Sequence, residues 1–567
     1  MNNIEAEDDF KRAVELQQQG RIDEAQALYE EILVIHRNHH YALHLLGVIA
    51  SQKGNHFYAR RLMETSLVLA PEDPDVLANL GQVLFHLGMY AQALARCDAS
   101  LSLQPSNPLC HLTRGKALRF MERYEEAIAA LDTALRLQPT LFEGFAHRGF
   151  CLHSLHRFEE ALNDYGQALQ LRPDNPEILS NRAHALFGLQ KHKEAHESVD
   201  RALKIWPDFP EALYHRGLML QHDKLYDQAF ACYSRAVQLK PDYDQALVRL
   251  AFVMHMLKRP LQECMALLDR ALRIKPNTVA ALTARAGLLA GVKLLDEALQ
   301  DYDRAIALEP NDAKTHTDRG ETLVMAKRPE EAVVSFRKAL ELGGDQADLN
   351  YALASLGAGT APPGSPPKYV VNLFDWYAQH FDNHLLGHLK YQTPELLCTR
   401  VCGLAPGSAL DIVDLGCGTG LCGPLLKPLA RTMTGVDLSP KMLEMARQRG
   451  VYDELVCSDL TDFLNPHAAS FDVVISTDVF IYVGMLESVF QATRRAIRPG
   501  GLFAFSFETS EEQDLVLRPS RRYAHSVAYI QRLADEHRFE IASLEPSVIR
   551  EEGGKNMDGF LAVLKAI

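Results

Sequence analysis

Val413-Asp414-Leu415-Gly416-Cys417-Gly418-Thr419-Gly420 is an apolar run that meets three glycines at alternate positions. The pattern predicts a strand turning into a helix. Glycine is needed where a side chain would hold a ligand off the main chain and where a tight turn requires φ > 0. A ligand packed against the backbone is therefore expected at this turn. Residues 409–413 supply a short buried strand, and residues 421–429 begin a crossover helix whose regularity Pro424 and Pro428 limit. Two ligand classes use such a turn: a nicotinamide or flavin dinucleotide, and S-adenosylmethionine. The dinucleotide fingerprint is G-x-G-x-x-G, but here the third glycine, Gly420, falls one residue early and position 421 is Leu. That spacing argues against a pyrophosphate.

Thr434-Gly435-Val436-Asp437-Leu438-Ser439 reads as a second strand ending in an acid, 23 residues beyond Asp414. A carboxylate there accepts from both ribose hydroxyls of an adenosine, which both ligand classes carry. The later segments choose between them. Glu454-Leu455-Val456-Cys457-Ser458-Asp459-Leu460 is a third strand ending in an acid placed to read an adenine amino group. Residues 471–478 form the fourth strand, and Arg498-Pro499-Gly500-Gly501 turns into a fifth over 502–507. Further on, residues 525–539 read as a helix, 541–549 as a strand, 553–559 as a turn and 560–565 as a last strand, which predicts a closing hairpin. These segments resemble the successive motifs of class I S-adenosylmethionine-dependent methyltransferases, over roughly the last 200 residues, a domain-sized stretch. An antiparallel closing strand is typical of that family's sheet, whereas a dinucleotide Rossmann domain keeps its strands parallel.

The resemblance implies a site and a cofactor, S-adenosyl-L-methionine. Its cofactor-binding positions fall on Asp414, Gly416, Cys417, Gly418 and Gly420 in the glycine loop and on Asp437, Leu438 and Met442 after strand two. Ser458, Asp459 and Leu460 follow after strand three, Thr477 after strand four, and Tyr377 lies upstream. Displacement at a methyl carbon carried by a sulfonium needs orientation and exclusion of water more than covalent help. A base matters only if the acceptor atom still carries its proton. Asp478, Tyr482 and His525 are the candidates for that base; each also has a structural reading, Asp478 and His525 as helix caps and Tyr482 as packing. Cys417 and Cys422 have no nearby partner base for thiol chemistry. Lys555 is not part of a phosphate loop, because G-x-x-x-x-G-K-[ST] is absent.

Upstream, residues 7–344 repeat. Gly20, Gly54 and Gly88 are 34 apart, and Gly47, Gly81, Gly115 and Gly149 keep the same step. Pro71, Pro105, Pro139, Pro173, Pro207 and Pro241 mark the ends, and one extra residue near Pro260 moves the next to Pro276. The period and its small residues resemble tetratricopeptide repeats, paired helices of which about ten are expected here. The functional reading is a groove that holds a protein or peptide; the alternative is a spacer or an oligomerisation arm. Arg114, Arg148, Arg182, Arg216, Arg285 and Arg319 occupy one place in successive units. They are expected to lay their stems on a helix and pair with acids such as Asp132, Asp200 or Asp303, rather than to bind an acidic segment.

Residues 348–356 predict one closing helix, and the Gly/Ala/Pro-rich stretch 357–367 a linker. The expected domain limits are 6–344, 345–367 and 368–567. Because the motifs beyond the linker complete one sheet, the segment 368–567 is expected to fold alone. Beyond the linker, Phe374-Asp375 and Phe381-Asp382 flank Tyr377-Ala378, with Tyr377, Phe381 and Leu385 on one helical face. This segment is similar to the opening of bacterial methyltransferases fused to tetratricopeptide repeats, whose corresponding helix lids the cofactor.

At 567 residues the chain is too long for one core, and 47% hydrophobic with 23% charged residues is a globular balance. A net charge of −14 disfavours a nucleic-acid backbone as partner. Ten cysteines without a C-x-x-C pair or zinc spacing point to reduced thiols and no metal. The acidic N-terminus lacks a signal peptide's basic start and apolar core, and no apolar run approaches a membrane span. A cytoplasmic location without a membrane partner is expected. The fold class expected is an all-α tetratricopeptide solenoid followed by an α/β, Rossmann-like methyltransferase domain. The expected activity is methyl transfer to an acceptor, a protein, recruited by the repeats. The alternatives are a small-molecule or lipid acceptor, or a scaffold that binds cofactor without turnover.

Overall fold

The computed structural model describes residues 3–378, 381, 391–405, 407–511, 513–552 and 555–567. Gln379, His380, Asp382 and Leu385 of the predicted lead-in helix, and Gly553 and Gly554 of the predicted hairpin turn, lie outside the described residues. From Asn3–Gln18 to Pro329–Glu341 the described chain passes through twenty helices. Small residues set their spacing: a Cβ on Gly81 would stand 2.7 Å from Cys97 Sγ, and one on Gly217 2.5 Å from Cε1 of Tyr233. Prolines sit in the first turn of several helices, where Asp73, Asn107 and Asn175 cap free N–H groups. The turn inside each unit needs one residue in the left-handed region. Gly20, Gly54 and Gly88 supply it first, and Glu122, His156, Gln190 and Lys224 occupy it at the following 34-residue steps.

The arginine ladder pairs internally. Arg114 donates to Asp98 at 2.7 Å, Arg148 bridges Asp132 and Asp164 at 2.6 Å each, and Arg216 pairs with Asp200. Arg285 meets Asp301 and Arg319 meets Asp303, both at 2.7 Å, while Arg182 reaches Ser198 at 3.5 Å. This is the structural arrangement expected for the rungs.

The chain forms two compact units, Met1–Ala284 and Arg285–Ile567. Within the second, the last repeat helices and the helix Gln346–Ser355 share a body with an α/β sheet. The Tyr351 hydroxyl meets Ser365 Oγ at 2.7 Å and donates to the Arg521 carbonyl, and Arg521 pairs with Glu321 at 2.6 Å. The Gly/Pro-rich stretch is strapped to the same body: Ser365 N–H donates to the Tyr482 carbonyl, Met485 N–H to that of Pro363, and the Tyr523 hydroxyl to that of Pro362.

The sheet has nine strands' worth of chain around it: β1 (Leu410–Leu415), β2 (Ala430–Asp437), β3 (Glu454–Cys457), β4 (Phe471–Ser476), β5 (Ile497–Glu508), β6 (Leu515–Leu517), β7 (Tyr523–His525), β8 (Phe539–Glu552) and β9 (Lys555–Ala566). Seven of them pair in the order β3-β2-β1-β4-β5-β9-β8, with β1 to β5 parallel and β9 antiparallel to both neighbours. Alternate residues fill the two faces. Val413, Leu415, Phe503 and Phe505 pack on Phe490 and Ile530, whereas Ile412, Val473 and Ile475 pack on Leu397 and Leu426. Strand order reverses between β1 and β4, and ligands of such sheets sit beyond the strand ends at that switch point.

Several local expectations change. The crossover after β1 is only Gly423–Leu426 and a 3₁₀ turn, Lys427–Leu429, because two prolines interrupt it. Residues 498–501 are an irregularity within β5 rather than a turn before it. The helix expected over 525–539 is Val527–Glu536, capped by Ser526, whose Oγ accepts from Tyr529 N–H. His525 therefore ends β7 in the ribbon β6–β7 and caps nothing. Among the described residues no helix is long and apolar enough to cross a membrane.

Candidate functional site

β1 is buried throughout and delivers the chain to Gly416, Gly418 and Gly420 at φ +67°, +54° and +85°. Two of these glycines are crowded: a Cβ on Gly416 would stand 2.3 Å from a methyl of Val479, and one on Gly420 2.8 Å from the ring of Tyr452. Gly418 alone is open, its nearest neighbour Cε1 of Phe381 at 3.8 Å. The loop is anchored to β2. Gly416 and Cys417 N–H donate to the Val436 carbonyl at 2.7 and 3.0 Å, and Gly418 N–H to Asp437 Oδ2 at 2.9 Å. Asp437 Oδ1 accepts from Ser439 N–H at 2.8 Å. Burial raises the Asp437 carboxyl above its ordinary value, against the pull of these N–H donors.

The loop opens into a cavity of about 580 Å³. Of the residues the sequence assigns to the cofactor, Tyr377, Gly416, Cys417, Gly418, Asp437, Leu438, Asp459, Leu460 and Thr477 line it. Four do not. Asp414 lies under the loop, accepting from the Tyr452 hydroxyl at 2.6 Å, with no hydrogen-bond partner for Oδ1 among the described residues. Burial pushes its carboxyl up to about 7. Gly420 is turned against Tyr452 and Arg449; Met442 is in the core, its N–H donating to Ser439 Oγ; and Ser458 N–H donates to the Asp437 carbonyl. Asp459 caps the helix Leu460–Leu464 through Oδ1, which accepts from Thr461 and Asp462 N–H.

One wall is aromatic. Phe374 and Tyr377, on the helix Pro367–Tyr377, contact Phe381 edge-on at 5.9 and 5.4 Å, and Phe374 contacts Tyr482 at 5.4 Å. Asp375 ties that helix to the end of β2, its Oδ1 accepting from Ser439 Oγ at 2.6 Å.

The three base candidates separate. Asp478 and Tyr482 line the cavity; His525 is not among its lining residues. The His525 ring is fully buried, Nε2 sits 2.8 Å from the Gly484 carbonyl, and burial pulls its pKa down to about 4. Burial pushes the Tyr482 hydroxyl up to about 12. Asp478 adopts φ +57°, with its N–H on Ser506 Oγ at 2.8 Å and Oδ1 accepting from Arg550 at 2.8 Å. Arg550, 2% exposed, also donates to the wholly buried Glu508, which accepts from Arg518 at 2.6 Å.

Arg550, Arg522 and Tyr391 line the cavity and escape the sequence reading. Arg550 is turned inward where the β8–β9 register shifts between Val548 and Arg550, and such bulges re-aim side chains. Arg522 closes the β6–β7 ribbon, whose three-residue strands are too short to show a period.

Comparison with known proteins places these features. Residues 413–505 match a family profile described as a methyltransferase domain, and residues 180–244 and 294–348 match one described as a tetratricopeptide repeat. The ubiquinone biosynthesis O-methyltransferase of Thiobacillus denitrificans is 33% identical over 108 residues, 18% of this chain and 46% of that protein. The malonyl-[acyl-carrier protein] O-methyltransferase of Serratia marcescens is 34% identical over 101 residues, 18% of this chain and 38% of its own. The match thus spans less than half the length of each relative. A tetratricopeptide repeat protein of known structure from Parabacteroides merdae covers 44% of this chain and 98% of its own at 18% identity, with a TM-score of 0.38. The chain thus carries tetratricopeptide repeats ahead of a methyltransferase domain that is similar to those of O-methyltransferases.

Proposed function

We propose that the chain transfers a methyl group from S-adenosylmethionine to an acceptor, a protein, that the repeats recruit, with domain limits at 6–344, 345–367 and 368–567. The observation that carries the reading is the open backbone of Gly418 beside the Asp437 carboxylate at the switch point of the sheet. These residues fit a nucleoside: Asp437 would take the ribose hydroxyls and Asp459 the adenine amino group. S-adenosylmethionine, when bound, supplies a methyl carbon made electrophilic by its sulfonium. The chain's part is to orient the acceptor and exclude water, for which the aromatic wall of Phe374, Tyr377 and Phe381 is placed. Support for a protein acceptor comes from the repeats, a class that presents extended binding surfaces. Tethering raises the local concentration of a held acceptor to the millimolar range, so a weak catalytic pocket suffices.

Calorimetric titration tests the cofactor. S-adenosylmethionine should bind, and Asp437→Ala should weaken it by about 1.5–3 kcal/mol, the loss of hydrogen bonds to a charged group. Binding of a dinucleotide in its place overturns the reading.

A further inference from the structure

Arg119 stands in the last turn of the repeat helix Pro108–Phe120, off the register of the arginine ladder. Unlike Arg114, Arg148 and Arg216 it makes no ion pair among the described residues. Its guanidinium centre lies 3.9 Å from the ring of Phe150 and 4.9 Å from that of Phe120, and Nη1 donates to His147 Nδ1 at 2.5 Å. An imidazole that accepts in this way is neutral, so it satisfies a hydrogen bond but cancels no charge. The planar fork carries five N–H donors, and one of them goes to His147. Lys116, one turn earlier, differs: it pairs with Glu143 at 2.8 Å while its Nζ sits over the ring of Phe85. The face thus keeps one uncompensated positive charge, half-buried among rings.

Rings lie on both sides of it. Phe85, Tyr90 and Phe120 contact one another at 5.5, 5.6 and 5.0 Å, and Phe120 is 47% exposed. In the units that follow, His153, His184 and His215 stand at centroid distances of 4.7 and 4.6 Å. All of these residues belong to the first compact unit. We propose that this face docks an extended peptide segment whose acidic side chain pairs with Arg119 and whose neighbouring aromatic residue packs on Phe85 and Phe120. The inference rests on the recruitment by the repeats proposed above and adds the chemistry that the recruited segment carries. A guanidinium fork matches the two oxygens of a carboxylate, and its stacking on a ring leaves the edge of the fork to meet them. The site takes one negative charge and not a row of them, because Glu143 and Glu177, both exposed, stand near the two cations and repel a polyanion. Since ring-bearing helices continue past Arg119 in both directions, the carboxylate comes from an internal side chain and not from a chain end.

Two measurements on the full chain test this. In the first, the capped peptides acetyl-Gly-Asp-Phe-Gly-amide and acetyl-Gly-Asn-Phe-Gly-amide are titrated by calorimetry. The acid should bind about tenfold more tightly, Arg119→Gln should remove that preference, and Arg119→Lys should restore part of it. Equal affinity for the two peptides in the unaltered chain, or a preference untouched in Arg119→Gln, overturns the docking site. If the Asn peptide with a free C-terminal carboxylate binds as tightly as the capped acid, the internal side chain is overturned; tighter binding of an oligouridylate overturns a peptide as the occupant. In the second, the protein is incubated with methyl-labelled S-adenosylmethionine and cell extract, with and without the capped acid. Labelling of protein should fall when the peptide is added, and by about tenfold in Arg119→Gln. Protein labelling that neither change lowers overturns the site while leaving methyl transfer to a recruited protein standing. Label found only in small molecules overturns the recruitment reading and this inference with it.

Discussion

In the repeats a buried charge finds its partner sixteen residues away, as Arg148 finds Asp164; in the α/β body Arg550 finds Glu508 and Asp478 at separations of 42 and 72. The first kind of pair is local, recurs with the period, and is backed up by a second acid, Asp132, one unit earlier. The second exists only when β4, β5 and β8 are all in register. An array of repeats therefore spreads its electrostatic risk, since each unit depends mainly on its neighbours. A sheet concentrates the same risk at one point.

Cutting the chain disturbs this contrast most. By sequence Glu321 lies in the repeats and Asp345 and Tyr351 in the closing helix, but Glu321 pairs with Arg521, Asp345 with Lys368, and the Tyr351 hydroxyl donates to the Arg521 carbonyl, all within the second compact unit. The fragment Val279–Ile567 should unfold in one cooperative transition. A fragment starting at Lys368 forfeits these bonds and the strap through Pro362 and Pro363, each worth about 1 kcal/mol. Its melting temperature should fall by about 10 °C or more by calorimetry. Equal melting temperatures would show that the α/β body stands without the last repeats, as the Gly/Pro-rich stretch alone leads one to expect.

Next in size is the pair of buried charges. Arg550→Met leaves two carboxylates against the core and should cost about 3–5 kcal/mol. Asp164→Asn leaves Arg148 with Asp132 and should cost about 1 kcal/mol. Denaturant titration of the unit concerned gives both numbers, and similar losses would erase the distinction between local and sheet-wide pairing.

The same distinction governs what the sequence makes legible. The repeat register, the glycine loop, Asp437 and the parallel strands all rest on spacing within one window, and the structure has them where spacing puts them. The direction of Arg550 depends on a bulge in a strand pair at the far edge of the sheet, and Arg522 on a ribbon of three-residue strands; neither leaves a periodic trace. His525 shows the opposite failure. Its apolar neighbours continue a helical pattern, but Ser526 starts the helix one residue later and leaves the imidazole in a strand. The aromatic Tyr391 is invisible for a third reason: it is buried on the wall of a cavity built from segments distant in sequence, which nothing in its own segment announces.

Asp414 sharpens the comparison through pH. Unlike Asp164 it has no cation among the described residues, and its carboxyl is raised to about 7 by burial. A carboxyl raised on folding contributes stability that is complete below its unfolded value near 4 and is lost as pH rises through the folded value. Between pH 4 and pH 8 the second unit should lose on the order of 2–4 kcal/mol from this group, and Asp414→Asn should flatten that slope. Thermal unfolding across the pH range reads it directly; a wild-type slope that persists unchanged in the variant would assign it to other groups.

The smallest effect concerns one backbone conformation used in two settings. Gly88 and Glu122 hold the same exposed turn position in successive repeats, at φ +74° and +59°, and nothing lies within 4 Å of a Cβ built on Gly88. Only backbone strain separates them. An L-residue in the left-handed region costs about 1–2 kcal/mol, while glycine gives back about 0.4–1 kcal/mol through the freer unfolded chain. Glu122→Gly should therefore stabilise the repeats by about 0.5–1 kcal/mol, and Gly88→Ala should destabilise them by about as much. In the α/β body Asp478 takes φ +57°, yet its carboxylate is held by Arg550. Asp478→Gly relieves the same strain but leaves a buried guanidinium short of an acid, so its sign should reverse. Denaturation curves for the three variants decide the matter. If Glu122→Gly destabilised the repeats, strain would not be what the glycine at Gly88 relieves, and if Asp478→Gly stabilised the second unit, the Arg550 pair would carry less than the turn it distorts.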